Sequence, residues 1–247
     1  LLNYRSNTLE PAQNQLGRAA LALAQSVNAQ QAQGLDLTGS KGKPLFFVPY
    51  PNVAAFKSNQ GTATVSATAS DISQLTNDNY QLTYTGSNTA PSLNGWSLAT
   101  SSGRTVTMTA GPGGTLLAEG LTITPSAGAQ VGDSFAIQPT QNAATGLAMA
   151  TTSTSSIAAA AALSAKPANA NLGGASVSGV TVTDSANANL FAGATVAFGA
   201  GGSYTVTDGG GNTTSGTDTA GTPIQFDGWS LALTGTPASG DSFTVAR

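Results

Sequence analysis

The chain has 247 residues, with 8 lysines and arginines against 11 aspartates and glutamates, and it contains neither cysteine nor histidine. A net charge of -3 gives no electrostatic basis for binding nucleic acid or an anionic membrane. The missing thiols and imidazoles exclude disulfides, thiol nucleophiles, and hydrolytic or zinc sites built on histidine. An enzyme of this composition would have to work with carboxylates, Lys or Tyr alone, and we expect no catalytic activity, no cofactor and no metal.

The chain opens with a helical pattern. We predict a helix over 11–32 that follows a kink or a separate turn, because Pro11 would break the hydrogen-bond ladder anywhere but in a first turn. Leucines recur every seven residues from Leu2, with smaller apolar residues between them. The predicted packing face of this helix consists of Leu9, Leu16, Ala20, Leu23 and Val27.

This apolar face needs a partner. Within the sequence only the Ala-rich segment near 157–163 could form a second helix, so we expect the partner to come from a part of the protein beyond this chain. The chain starts with Leu1 in the middle of the amphipathic pattern, which also indicates a piece of a longer protein, and no signal peptide is visible.

After a linker rich in Gly and Pro, the pattern changes to alternation of apolar and polar residues between turn residues. This alternation is typical of half-buried antiparallel strands. The predicted strands lie in NYQLTYTG, GWSLAT, RTVTMTA, GLTITP and DSFAIQP. We predict a helical segment and linker over 1–45, and a first β domain over 46–163 that ends in a short Ala-rich helix.

A second linker is predicted over 164–174, and a second β domain over 175–247. Its predicted strands lie in SVSGVTVTD, ATVAFGA, SYTVTD, PIQFDGWSLALTG and DSFTVA. The predicted fold class is mainly β with an N-terminal α-helical segment, in which two antiparallel β modules are barrel-like or sandwich-like.

The end of the first β domain is repeated at the end of the second. Gly120, Gly132, Asp133 and Phe135 recur 108 residues later as Gly228, Gly240, Asp241 and Phe243. A strand pair has a period of two and tolerates no slip without turning its core face outward. The predicted inward positions are Leu121 with Trp229, Ile123 with Leu231, and Phe135 with Phe243. The constant spacing favours duplication of one β module, with independent hairpins of similar chemistry as the alternative.

Four groups of residues could suggest a chemical site, and each has a structural interpretation that we favour. The Gly-rich stretches 199–203 and 208–212 lack the lysine of a phosphate loop and indicate hairpin turns. Four aspartates do not follow calcium-loop spacing: Asp184, Asp208, Asp218 and Asp227. The repeated carboxylates Glu119, Asp133, Asp227 and Asp241 are typical of turn capping rather than of glycoside hydrolysis.

The fourth group is aromatic and supports an alternative function. Exposed on a sheet, these side chains could stack on sugars, as in an extracellular carbohydrate-binding or adhesin-type module. Their alternation with Ser and Thr favours core packing instead. The residues are Tyr80, Tyr84, Trp96, Tyr204 and Trp229.

Two stretches resemble a known family. LLNYRSNTLEPAQNQLGRAALALAQSVNAQQAQGLDLTG at the start, with AEGLTITPSAGAQVGDSFAIQPTQNAATGLAM and SIAAAAA further on, is similar to bacterial flagellar hook-associated protein 1, the family of junction proteins between hook and filament. The resemblance is clear over 1–39 and 119–162, and it is looser over 46–118 and 175–227. It covers about half of the chain.

The resemblance implies a structural subunit of the flagellum, in which helical regions form a tube and β domains project outward. Residues 1–45 would then belong to the helical rod domain. The implied partners are copies of the protein in a ring, the hook protein, the next hook-associated protein and an export chaperone. The implied location is extracellular, after export by the flagellar type III system without a cleaved signal peptide.

Overall fold

The computed structural model of the chain describes residues 4–90 and 92–247. Two units divide the chain between them: unit 1 takes the residues through Asn28 together with Pro44–Thr152, and unit 2 takes Ala29–Lys43 together with Ser153–Arg247. Leu2, the first leucine of the heptad pattern, lies outside the described residues.

The predicted N-terminal helix is confirmed. Helix α1 spans Glu10–Ala32, and a π-helical turn over Arg5–Leu9 leads directly into it. Pro11 is the second residue of α1 and follows the π-helical turn, in which the Glu10 N–H donates to the Arg5 carbonyl oxygen, so the hydrogen-bond spacing changes just before the residue that lacks an N–H. A second short helix, α2, spans Ala143–Gly146. No helix in the described part of the chain combines the length and apolar character that crossing a membrane requires.

The strands through residue 149 include all those predicted for the first β domain. They are β1 (Gly34–Leu35), β2 (Phe46–Phe47), β3 (Asn52–Ala55), β4 (Val65–Ala69), β5 (Tyr80–Tyr84), β6 (Trp96–Thr100), β7 (Thr105–Val106), β8 (Thr109–Ala110), β9 (Leu116–Ala118), β10 (Leu121–Pro125), β11 (Ser134–Gln138) and β12 (Ala148–Met149).

The remaining strands include all those predicted for the second β domain. They are β13 (Ala160–Ala161), β14 (Ser164–Pro167), β15 (Ser176–Val182), β16 (Ala194–Phe198), β17 (Ser203–Asp208), β18 (Thr213–Thr217), β19 (Ile224–Phe226), β20 (Trp229–Thr234) and β21 (Ser242–Ala246). The predicted fold class, mainly β with an N-terminal helix and antiparallel sheets, is confirmed.

The two units contain the same arrangement of strands. In unit 1, one sheet has the order β3-β11-β5-β6-β7 and the other β4-β10-β9-β8. In unit 2, the corresponding sheets are β14-β21-β16-β17-β18 and β15-β20-β19. Apart from β8, each strand of one set has a counterpart in the other, in the same chain order and with the same neighbours. Independent hairpins would not reproduce a whole topology, so this agreement supports module duplication.

Each pair of sheets encloses one hydrophobic core, as in a sandwich. In unit 1, Phe135 of β11 and Ile123 of β10 contribute to one cluster of buried side chains from both sheets. In unit 2, Phe243 of β21 and Leu231 of β20 do the same. The positions that the repeat marks as inward are therefore fully buried in both units.

Two predictions about the region between the modules are wrong. The Ala-rich segment 157–163 is not a helix, since Thr154–Ser156 form a 3₁₀ turn and Ala160–Ala161 pair with β1. Alanine favours helix, but a segment of a few residues cannot offset the cost of nucleating one when its backbone groups have partners elsewhere.

The second correction concerns the linker predicted over 164–174. Its first residues form β14, which pairs with β21 from Ser164↔Ala246 to Pro167↔Phe243. β14 lies at the edge of its sheet, where Pro167 is tolerated. Its side chains are mostly exposed, so its sequence shows no alternation of apolar and polar residues. Residues 164–167 therefore belong to a sheet of unit 2 rather than to a linker. The division into β domains at 46–163 and 175–247 stays a prediction.

Truncating the two repeated phenylalanines tests whether the modules unfold separately. We expect Phe135→Ala and Phe243→Ala each to destabilise its own unit by about 3–5 kcal/mol, the usual cost of removing a buried Phe ring. Calorimetry of each variant should show one of two unfolding transitions moving while the other stays in place.

Matched controls for these variants are Val131→Ala in unit 1 and Leu172→Ala in unit 2, whose side chains are exposed. Both controls should leave the transitions unchanged. A single transition that both Phe variants lower equally would contradict independent modules.

Candidate functional site

The leucine face of α1 is open to solvent in unit 1. Leu9, Leu16 and Leu23 are 45%, 63% and 58% exposed, and Ala20 and Val27 between them are half-buried. Leucine side chains at helical spacing with this exposure form a continuous apolar stripe along α1. The stripe is the predicted packing face, and it is available to a partner.

A different face of α1 packs on unit 1, and sequence analysis missed it because it is not apolar throughout. Asn14 is buried and donates from Nδ2 to the Asn77 carbonyl oxygen at 2.9 Å. Gly17 lies so close to Thr140 that an added Cβ would sit 1.8 Å from the Thr140 carbonyl oxygen. Leu21 and Ala24 complete this face as buried apolar residues. The spacing of 14, 17, 21 and 24 is helical and could have indicated a second face.

In unit 2, the end of α1 is fixed by a buried amide. Gln31 accepts a hydrogen bond at Oε1 from the Ala158 N–H at 3.0 Å, and its Nε2 donates to the Ser156 carbonyl oxygen. These bonds occupy backbone groups of the Ala-rich segment. They help explain why that segment is extended rather than helical.

The first pair of repeated glycines forms two-residue hairpin turns. Glu119–Gly120 joins β9 to β10, and Asp227–Gly228 joins β19 to β20, with φ of 44° and 79° in the first turn and 43° and 78° in the second. Positive φ at both central residues defines the type I′ turn, which suits the twist of a hairpin. Glycine is required at the second position, because an added Cβ on Gly120 would lie 2.1 Å from the Asp71 carbonyl oxygen.

The repeated aspartate of unit 1 is buried and binds backbone rather than substrate. Asp133 accepts hydrogen bonds from the N–H groups of Gln60 at 2.7 Å, Gly61 at 3.0 Å and Gln130 at 2.8 Å. The bond from the Gln130 N–H is the main cause that lowers the pKa of Asp133, and the bonds from Gln60 and Gly61 add to it. The ionised carboxylate thus ties a distant loop to the turn before β11.

The repeated aspartate of unit 2 makes the same set of bonds. Asp241 accepts from the N–H groups of Leu172 at 2.8 Å, Gly173 at 3.1 Å and Ala238 at 2.8 Å. Its pKa is lowered first by the bond from Ala238 and then by those from Leu172 and Gly173. We call these two arrangements the aspartate latches.

An asparagine completes each latch. Asn59 accepts from the Ser134 N–H at 2.8 Å and donates to the Ser134 carbonyl oxygen at 2.9 Å. Asn171 bonds Ser242 in the same way, at 2.8 and 2.9 Å. Sequence analysis missed this half of the latch because the asparagines are 112 residues apart, not 108. The shared Asn-x-Gly pattern at 59–61 and 171–173 is the signal that could have found it.

Glu119 belongs to a charged cluster at its turn. It receives two bonds from the Arg104 guanidinium, at 2.6 and 3.1 Å, and one from the Tyr80 hydroxyl at 2.6 Å. Arg104 also bonds Asp78 at 2.8 Å. The Arg104 bonds are the main cause that lowers the pKa of Glu119, whereas burial is the main cause that raises the pKa of Tyr80. A carboxylate neutralised in this way supports a structural role.

The remaining candidate sites are turns. Gly199–Ser203 contains the 3₁₀ turn between β16 and β17, and Asp208 binds the backbone N–H groups of Gly210 and Asn212 in the turn before β18. Asp184 caps its own turn by accepting from the Ala186 N–H at 2.8 Å. Within residues 4–90 and 92–247, no group of three or more acidic side chains is placed to hold a metal ion.

The tryptophans do not form an exposed stacking platform. Trp96, Trp229 and Tyr80 are all buried. Trp96 packs against Tyr84 and Phe135 with ring centroids 5.0 and 5.9 Å apart. Tyr204 is half-buried against Phe198. The aromatic rings therefore belong to the cores of the modules.

Comparison with known proteins links both parts of unit 1 to one kind of protein. Residues 1–46 match the family described as the flagellar hook-associated protein FlgK helical domain. Residues 54–139 match the family described as the D2-like domain of flagellar hook-associated protein 1.

Individual proteins similar to this chain are of the same kind as the two matching families. Flagellar hook-associated protein 1 of Salmonella typhimurium is 36% identical over 146 residues, which cover 58% of this chain and 25% of that protein. The protein of the same name in Escherichia coli is 30% identical over 144 residues, with the same coverage. The chain spans about a quarter of the length of these curated relatives.

A solved structure extends the similarity to the second module. The flagellar hook junction protein FlgK from Burkholderia pseudomallei is 33% identical and matches with a TM-score of 0.76. The match covers 99% of this chain and 49% of that one.

The aspartate latches predict acid sensitivity. Because the folded-state pKa of Asp133 is lowered, its contribution to stability is present above the unfolded pKa and is lost as pH falls through the lower folded value. We expect Asp133→Asn to lower the melting midpoint of unit 1 at pH 7 and to weaken its further decrease on acidification, as measured by calorimetry between pH 7 and pH 3. Asp241→Asn is the matched variant and should act on unit 2 alone. An unchanged midpoint at pH 7 in both variants would count against the latches.

Proposed function

Because the chain belongs to the flagellar hook-associated protein 1 family, we propose that it is part of a structural subunit of the bacterial flagellum that assembles at the junction between hook and filament. The observation that carries this proposal is the leucine stripe of α1. A subunit that builds a helical tube needs such a face, and Leu9, Leu16 and Leu23 provide it.

The two faces of α1 have different tasks in this proposal. The face of Asn14, Gly17 and Leu21 is occupied by unit 1. The leucine stripe binds helices that the rest of the protein or a neighbouring copy contributes. Burying a leucine side chain stabilises an interface by about 1.5–3 kcal/mol, so three leucines at helical spacing supply a substantial driving force.

The β modules fit the role of outward-facing domains. Each has its own core, and its surface is built from hydroxyl and amide side chains with few charges. Such modules need no cofactor and no metal, and we propose no catalytic activity for them. The layout of a helical rod segment followed by two β domains remains part of this proposal.

The proposed partners follow from the same role. They are copies of the protein in a ring, the hook protein, the next hook-associated protein and an export chaperone. The proposed location is outside the cell, reached through the flagellar type III system without a cleaved signal peptide. Nucleic acid and membranes are not proposed as partners, since the net charge is negative and lysine and arginine are few. Carbohydrate binding is not favoured either, because Trp96 and Trp229 are buried.

The assembly role of the leucine stripe can be tested by replacing its leucines with charged residues. We expect the triple variant Leu9→Asp, Leu16→Asp and Leu23→Asp to leave the β modules folded, because these side chains are exposed. In the full-length protein the same variant should abolish attachment of filaments to hooks, as counted by electron microscopy, because charged groups cannot be buried in a helix interface without a partner.

The matched control places the same charges on another exposed face of α1, with Gln15→Asp, Ala22→Asp and Ser26→Asp. Filaments should attach as in the unaltered protein. Normal attachment with the triple leucine variant would contradict the assembly role of the stripe.

A further inference from the structure

The two modules carry the same hairpin turn in different electrostatic settings. Three positions around this turn correspond at the spacing of 108 residues: Thr100 with Asp208, Arg104 with Asn212, and Glu119 with Asp227. The backbone agrees with this correspondence. The Thr100 N–H donates to the Arg104 carbonyl oxygen at 2.8 Å, and the Asp208 N–H donates to the Asn212 carbonyl oxygen at 3.0 Å.

In unit 1 the acidic side chain of the turn has strong donors. Glu119 is bonded by both the Arg104 guanidinium and the Tyr80 hydroxyl. Tyr80 pairs with Thr100 in the sheet, and Ala194 pairs with Asp208 at the corresponding place in unit 2. Unit 2 therefore has an alanine in place of the tyrosine and Asn212 in place of the arginine.

Asp227 consequently lacks the donors that its counterpart has. Its Oδ2 atom is buried and has no hydrogen-bond partner within residues 4–90 and 92–247. Asn189 lowers the pKa of Asp227 but does not offset the burial that raises it. The position of the missing arginine is occupied by Asn212, which gives its Nδ2 donor to Asp208 Oδ2 at 2.7 Å instead. Leaving a buried carboxylate oxygen without a donor costs free energy unless the group becomes neutral.

Asp208 is buried and takes the place of Thr100, the residue that pairs with the tyrosine bonded to Glu119 in unit 1. Its carboxyl group interacts with that of Asp227. Asp208 already accepts bonds from the Gly210 N–H, the Asn212 N–H and the Asn212 amide, and these bonds favour its ionised form. Two ionised carboxylates cannot hydrogen-bond each other, because neither has a donor. One proton between them satisfies both groups.

We infer that Asp227 retains its proton at pH values at which an ordinary aspartate is ionised and donates it to the carboxylate of Asp208. This shared proton replaces, in unit 2, the arginine that neutralises Glu119 in unit 1. The result is a proton-binding site in the turn between β19 and β20, and it makes one part of unit 2 respond to pH in the sense opposite to the latches.

Two charged side chains at the loop that precedes β16 are engaged with backbone groups. Lys41 lies against the loop that precedes β16, but its ammonium donates to the Ser185 carbonyl oxygen. Asp184 in the same loop is engaged with the Ala186 N–H. The direction of the pKa shifts agrees with the geometry: burial first, and the Asp208 charge next, raise the pKa of Asp227, whereas the Asn212 bond is the main cause that lowers the pKa of Asp208.

The sign of the pH dependence follows from the raised pKa. Asp227 binds its proton more tightly in the folded state than in the unfolded state, where the reference value is 3.8. Its contribution to stability is therefore fully present below the unfolded pKa and is lost as pH rises through the folded value.

The decisive experiment is a carboxyl ¹³C NMR titration of the 247-residue chain, which has only 11 acidic side chains to resolve. Asp227→Asn identifies the resonance. We expect Asp227 to titrate above 3.8 and Asp208 below it, with each resonance sensing the ionisation of the other. Titration of Asp227 at or below 3.8 in the unaltered chain would overturn the inference.

Two variants test the cause. Asn212→Arg restores the arginine of unit 1 and should move the titration of Asp227 below 3.8, as an adjacent guanidinium does for Glu119. Arg104→Asn is the matched control in unit 1 and should raise the titration of Glu119 while Asp227 is unchanged. If Asp227 titrated at the same pH in Asn212→Arg as in the unaltered chain, the missing arginine would not be the cause of its retained proton. If millimolar Ca²⁺ instead shifted the Asp208 and Asp227 resonances together at neutral pH, the site would be a cation site and the shared proton would be wrong.

Discussion

The architecture of both units depends on a buried carboxylate that binds backbone N–H groups from two loops at once. In unit 1, Asp133 joins the loop at Gln60–Gly61 to the turn before β11. Gly61 and Asp133 are 72 residues apart in the chain, so the latch is a long-range contact that joins the loop before β4 to the turn before β11. Each latch also places the first residue of the last strand, which fixes the register of the repeated phenylalanine in the core.

Few charges are available to this protein, and most of the acidic ones are used to hold turns. Asp71, Asp133, Asp184 and Asp241 all accept hydrogen bonds from backbone N–H groups. This use explains how a chain rich in Gly, Ser and Thr can form well-defined sandwiches without disulfides. Each of these four carboxylates is therefore committed to the loop that it closes, whereas Asp227 is not.

Duplication kept the latches and allowed the hairpin turns to diverge. The type I′ geometry of Glu119–Gly120 and Asp227–Gly228 is the same within one degree in φ at each position, whereas the groups that neutralise the acidic residue differ completely. The backbone conformation of such a turn tolerates little change, because a neighbouring backbone carbonyl lies close to its glycine. The side chains around the turn can be exchanged as long as the acidic group still has a hydrogen-bond donor. Asn212 shows the outcome of that exchange in unit 2.

The sequence alone determined the features that depend on local periodicity. It predicted α1 and its leucine stripe, most of the alternating strands but not β4, the Gly-containing turns, and the inward positions of Phe135 and Phe243, because side-chain period and turn chemistry are local properties. Tertiary structure decided what depends on backbone groups far apart in the chain. It made the Ala-rich segment extended, turned Ser164–Pro167 into an edge strand, buried Asn14 and Gln31, and brought Asp208 to Asp227. None of these follows from neighbouring residues, since a polar side chain or a weak strand acquires its role only from the donor or acceptor that the fold places against it.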